Sequence, residues 1–111
     1  MEDTFILVLT TVGTKQFAND LARSIVEARL AACVQIQSVQ SVYRWNGDIT
    51  NEPEWLLAIK TADRLYAALE QHIRANHSYE IPEVVRLPIT SGSVEYLAWL
   101  TASIQPDEPT A

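Results

Sequence analysis

Thr4 to Thr11, TFILVLTT, is an unbroken run of apolar and β-branched residues, which predicts a strand covered on both faces and central in its sheet. From Thr14 the period lengthens. Phe17, Leu21, Ile25 and Ala28 recur three or four apart, with Asn19, Arg23 and Glu27 on another face, as in an amphipathic helix capped by Thr14 and ending around Leu30. In ACVQIQSVQSVYRWNG the apolar parity changes. Val34 and Ile36 alternate with Gln35 and Gln37, whereas Val39, Tyr43 and Trp45 occupy odd positions, so a bulge or bend is expected between Gln37 and Ser41.

Asn46-Gly47-Asp48 is a hairpin-closing turn signal, and Glu54 to Thr61 (EWLLAIKT) resumes as a strand. Thr61 or Asp63 is positioned to cap a second helix carrying Leu65, Leu69 and Ile73 at spacings of four and ending near Asn76. Glu83 to Ile89 reads as a fourth strand, with Pro88 at or past its paired part. Ser91-Gly92-Ser93 then caps a last helix that directs Val94, Leu97, Leu100 and Ile104 inward. The order βαββαβ plus one helix predicts an α+β split βαβ sandwich, with both long helices on one face of a four-stranded antiparallel sheet. Residues 1–105 form the expected single domain, and 106–111, lacking periodicity and apolar bulk, a flexible tail.

One dimension conflicts with a monomer. Cys33 to Trp45 would reach about 40 Å at a strand rise of ~3.3 Å per residue, against a radius of gyration of about 13 Å for a compact domain of this size. An arm bearing Val39, Tyr43, Trp45 and Trp55 exposes apolar area that a second subunit would cover, so homo-oligomerisation is expected.

Composition narrows the partners. The 111 residues are 48% apolar and carry a formal charge of −6, which weighs against a nucleic-acid backbone or an anionic membrane and favours cations or proteins. Cys33 is the only cysteine, so no intrachain disulfide can form. The start MEDTFILVLTT lacks the basic flank of a signal peptide. A free thiol fits a reducing compartment, and the expected location is the cytoplasm.

The chemistry concentrates in HSYEIPE, residues 77–83, a helix-to-strand connection stiffened by Pro82. Glu80 facing a cleft would pair with a lysine, and Lys60, within an apolar strand, must snorkel or find such a carboxylate. Tyr79 and Glu80 could equally serve only to fix the loop. Besides carboxylates the metal donors are Cys33, His72 and His77. An i,i+5 spacing sets the two imidazoles about 140° apart on a helix, so they cannot share a two-His helical site. His77 is the best single candidate, with weak affinity unless another subunit adds donors. Cys33 is read as a buried small apolar strand residue and His72 as a solvated or partly packed one. No nucleophile has a matching base, TTVGTK lacks a phosphate-cradling pattern, and no enzymatic reaction is expected.

Five blocks in order, EARLAACVQI, SVYRWNGDI, LLAIKT, HSYEIPEVVRLPI and SGSVEYLAWL, resemble the divalent-cation tolerance family, CutA, from Phe5 to about Ser103. The resemblance implies a ferredoxin-like fold in a tight homotrimer, with the long bent hairpin used between subunits. It also implies an assembly similar to PII proteins and a link to copper and other divalent metals. His77, Tyr79, Glu80, Pro82 and Glu83 match the family's H-x-Y-E-x-P-E block, and Trp45, Gly47 and Lys60 match further recurrent positions. Cys33 matches its Ala-Ala-Cys. Some copper-binding members have a Cys where this chain has Thr10 and a second His where it has Asn76. The expected site is therefore a cleft of Trp45, Lys60, Tyr79, Glu80 and Glu83 completed by another subunit, with a divalent ion, copper or zinc, held weakly at His77. The alternative is a PII-like trimer binding a small molecule or partner.

Overall fold

In the computed structural model, which describes residues 3–107, strand β1 (Phe5–Val12) lies inside a four-stranded antiparallel sheet with β2 (Cys33–Trp45), β3 (Asp48–Ala62) and β4 (Val85–Ile89), in the order β2-β3-β1-β4. It pairs with β3 from Phe5↔Ala62 to Val12↔Trp55, and with β4 from Phe5↔Ile89 to Leu9↔Val85. This central place is what the unbroken apolar run predicts. Ile6, Val8, Thr10 and Val12 alternate onto one face and are all buried. Leu57 and Ile59 of β3 join them beneath Ala18, Leu21 and Ile25 of helix α1 (Lys15–Glu27) and Leu69 and Ile73 of helix α2 (Tyr66–Ala75). Thr10 is the one hydroxyl in that stripe, and its Oγ1 is buried without a partner among the described residues.

The ends of α1 are specified locally. Thr14 Oγ1 accepts the Phe17 amide at 3.1 Å, as the sequence predicts. The helix stops earlier than expected, at Glu27, because Arg29 takes a φ of 57° and the chain closes a Schellman motif. Leu30 N donates to Ile25 O at 3.1 Å and Arg29 N to Val26 O at 3.0 Å.

Strand β2 (Cys33–Trp45) pairs with β3 in one constant register from Cys33↔Lys60 to Trp45↔Asp48, so the expected bulge is absent. The apolar parity changes because the cover changes. Val34 and Ile36 pack with α1 and α2, whereas beyond the end of β1 the helix-covered core stops and the ribbon continues with two strands. The turn is as predicted: Asn46 and Gly47 have φ of 51° and 84°, the left-handed pair of a two-residue hairpin. The ribbon stretches the molecule to 50 × 30 × 24 Å, with a radius of gyration of 15.1 Å.

A 3₁₀ turn, Asp63–Leu65, precedes α2, and neither Thr61 nor Asp63 caps it. Thr61 Oγ1 donates to Leu30 O at 2.7 Å instead, and Asp63 pairs with Arg86 at 3.0 Å. Pro88 lies within β4, opposite Ile6, which an edge strand tolerates. Helix α3 (Val94–Ala102) is capped by Ser93, whose Oγ accepts the Tyr96 amide at 3.2 Å. Leu100 and Ile104 point inward, but Val94 is 80% exposed, contrary to expectation. Both residues pack with Ala62, Leu65 and Phe5, so α3 covers only one end of the sheet face opposite α1 and α2. The tail expected at 106–111 falls at 108–111 outside the described residues.

Candidate functional site: a hollow beside Tyr79

Past the C-terminal end of β1, the HSYEIPE loop packs against the root of the projecting ribbon. His77 anchors it. The Tyr79 amide donates to His77 Nδ1 at 3.0 Å, so Nδ1 carries a lone pair, and Nε2 stands 2.8 Å from the Thr11 carbonyl, which can only accept. The imidazole is therefore the Nε2–H tautomer with both nitrogens engaged. Its ring lies 4.7 Å from that of Tyr79 and 5.9 Å from that of Phe17.

Tyr79 Oη donates to Glu54 Oε2 at 2.8 Å. Glu54 is only 7% exposed although it stands on the face of the sheet opposite α1 and α2, paired with Val39. Burial, then the hydrogen bond and charge of Glu54, push the Tyr79 phenol well above the usual tyrosine range, so it is a permanent donor at neutral pH. Tyr43 Oη donates to Glu52 at 3.1 Å, and its phenol is likewise raised. Thr11, Ser41, Val42, Tyr43, Glu54, Tyr79, Ile81 and Glu83 line an open hollow of about 350 Å³.

Only part of the expected cleft assembles here. Tyr79 and Glu83 line the hollow, and His77 braces it from behind. Lys60 does not meet Glu80. It lies six residues from Glu54 along β3, about 20 Å at ~3.3 Å per residue, with Nζ 3.4 Å from Tyr96 Oη and 5.4 Å from that ring's centroid. The lysine finds a phenol rather than a carboxylate because α3 brings Tyr96 over its end of the sheet. Glu80 is exposed and forms no ion pair among the described residues. Trp45 stands at the ribbon tip opposite Asp48, 45% exposed and again about 20 Å from Glu54. Within one chain, then, Trp45 and Lys60 belong to opposite ends of the sheet. Cys33 is half-buried rather than buried, and His72 joins α2 to α1 through Ser24 Oγ at 2.8 Å. Among the described residues no three His, Cys, Asp or Glu side chains converge into a metal site.

The central residue that sequence reasoning missed is Glu54. A carboxylate opening the apolar strand EWLLAIKT needs a donor for the same reason that Lys60 needs an acceptor, and that signal was present. Its partner, 25 residues away, was not.

Residues 6–103 match the family model described as CutA1 divalent ion tolerance protein. The chain belongs to this family. It is 48% identical over 99 residues to the chloroplastic protein CutA of Arabidopsis thaliana, which covers 88% of this chain and 54% of that protein. The identity to the divalent-cation tolerance protein CutA of Thermus thermophilus is 43% over 95 residues, covering 85% and 92% of the two chains. The crystal structure of CutA1 from Oryza sativa superposes with a TM-score of 0.91 at 43% identity, covering 95% of this chain and 97% of that one. The chain thus spans about half the length of the plant relative and nearly all of the bacterial CutA. The five blocks quoted above all fall within the matched CutA1 span, and the four-stranded α+β sheet with three helices is the CutA1 fold. No described helix is long and apolar enough to cross a membrane.

Proposed function

We propose that the protein serves divalent-cation tolerance as a homotrimer that works by binding rather than by catalysis. The observation carrying this reading is the sheet face that α1 and α2 leave open. Leu7, Leu9, Leu56 and Ala58 are only half-buried there, Val85 and Leu87 are more than 40% exposed, and Trp99 of α3 is 47% exposed beside them. A contiguous apolar face flanked by two open strand edges calls for a second chain. Sedimentation velocity tests it. A trimer is expected for the wild type, and Leu87→Glu should shift it towards smaller species while the far-ultraviolet dichroism is kept; a monomeric wild type would sink the reading.

Divalent ions, copper or zinc in kind, bind weakly on this reading, through His77 and carboxylates gathered from more than one subunit. To ligate a metal, His77 must give up its hydrogen bond with Thr11 or Tyr79, each worth about 1 kcal/mol. Calorimetric titration with copper and zinc should give weak binding that drops further in His77→Ala; equal binding by both proteins would remove His77 from the site. The hollow beside Tyr79 favours a second reading, a PII-like trimer that takes up a small ligand.

A further inference from the structure

Glu54 is a buried carboxylate without a counter-charge. Only 7% of the residue is exposed, Tyr79 holds Oε2, and among the described residues no Lys, Arg or His pairs with either oxygen. Oε1 accepts no hydrogen bond among those residues, yet it is not sealed in, since Thr10 Oγ1 is the fully enclosed side-chain atom there that lacks a partner. Glu54 lines the hollow, as does Glu83. A desolvated anion of this kind is costly unless a cation meets it. A bare metal ion is poorly served within one chain, because among the described residues no three His, Cys, Asp or Glu side chains converge and hard cations take six or more oxygens. The remaining lining suits an organic cation. Ser41 and Tyr43 stand on the same face of the ribbon as Glu54, Ser41 offering an acceptor and Tyr43 an aromatic ring, and Ile81, 73% exposed, gives an apolar rim for a carbon chain.

We infer that the hollow binds the primary ammonium group of a small alkyl amine, one N–H donating to the Glu54 carboxylate while the chain lies against Ile81. Three donors on one compact charge match acceptors on several sides, which a quaternary ammonium cannot do. This rests on reading the hollow as the ligand site of the second reading above, and it names the class of that ligand.

Calorimetric titration of the assembled protein with n-butylammonium chloride, at constant ionic strength, tests it. Saturable binding is expected, weakened about tenfold or more by Glu54→Gln, as when a charge-assisted hydrogen bond is lost, and by replacing the probe with tetramethylammonium. Should Glu54→Gln fail to fold, Ile81→Lys places a tethered ammonium on an exposed rim position and should suppress binding by a similar factor. No saturable binding by the wild type, or binding unchanged in a folded Glu54→Gln or in Ile81→Lys, overturns the inference. A hollow filled by a lysine of a second copy would give the first of these results. Sedimentation of the same samples reports separately on the trimer, so failure of the amine leaves the assembly reading standing.

Discussion

The two faces of the sheet are built from the same strands and differ by one residue of register. On one, Val8, Val12, Leu57 and Ile59 are fully buried beneath α1 and α2. On the other, their chain neighbours Leu7, Leu9, Leu56 and Ala58 are as apolar but half-covered, and α3 reaches only the end near Phe5 and Ala62. The first face completes its packing within the chain. The second does not, and it also holds Lys60 and Glu54, opposite Cys33 and Val39. An apolar stripe therefore tells that a face is to be buried, but not by which chain.

Paired truncations of adjacent residues probe that difference most strongly. Leu57→Ala should cost about 3 kcal/mol in denaturant unfolding at any protein concentration, because its cavity is enclosed. Leu56→Ala should cost well under half of that in dilute protein and more as concentration rises; equal, concentration-independent losses would abolish the distinction between the faces. Next in size, Tyr79→Phe leaves a buried carboxylate without its donor and should cost about 2 kcal/mol. It should also change the alkaline limb. The Tyr79 phenol is raised on folding, so its contribution is complete below the unfolded value of about 10 and fades above it, where the unfolded chain releases the proton first. Stability of the wild type should fall with rising pH in that range, and less steeply in Tyr79→Phe. Tyr43 and Tyr66, also raised, keep part of the slope.

Two smaller effects sharpen the covered face. Thr10→Val should stabilise by about 1 kcal/mol, since it replaces an unpartnered buried hydroxyl with a methyl of the same shape; a loss would mean that Oγ1 has a partner. Arg29→Gly relieves a left-handed φ at the end of α1 and should raise stability by about 0.5–1 kcal/mol in thermal unfolding.

Much of the fold was legible because its signals are local. Thr14 and Ser93 as caps, Asn46-Gly47 as the turn, and the four-residue spacing of Leu65, Leu69 and Ile73 each depend on neighbours within one turn of chain. The misreadings lie where a distant element decides. The odd-numbered apolar set of β2 looked like a bulge but marks the line where the helices stop. Thr61 looked like a cap but bonds to Leu30, and Lys60 looked like a partner of Glu80 but meets Tyr96 of α3. At the site, the HSYEIPE stretch was visible as chemistry, and Tyr79 and Glu83 do line the hollow.

By itself, the sequence determined which segments form strands and helices, where they turn, and that the hairpin arm carries apolar side chains in need of cover, since periodicity and composition act over a few residues. Only the tertiary structure decided the place of β1 between β3 and β4, the seating of Lys60 against Tyr96, and the meeting of Tyr79 with Glu54. Those depend on pairings across 25 residues or more, where no local period constrains which side chain stands opposite which.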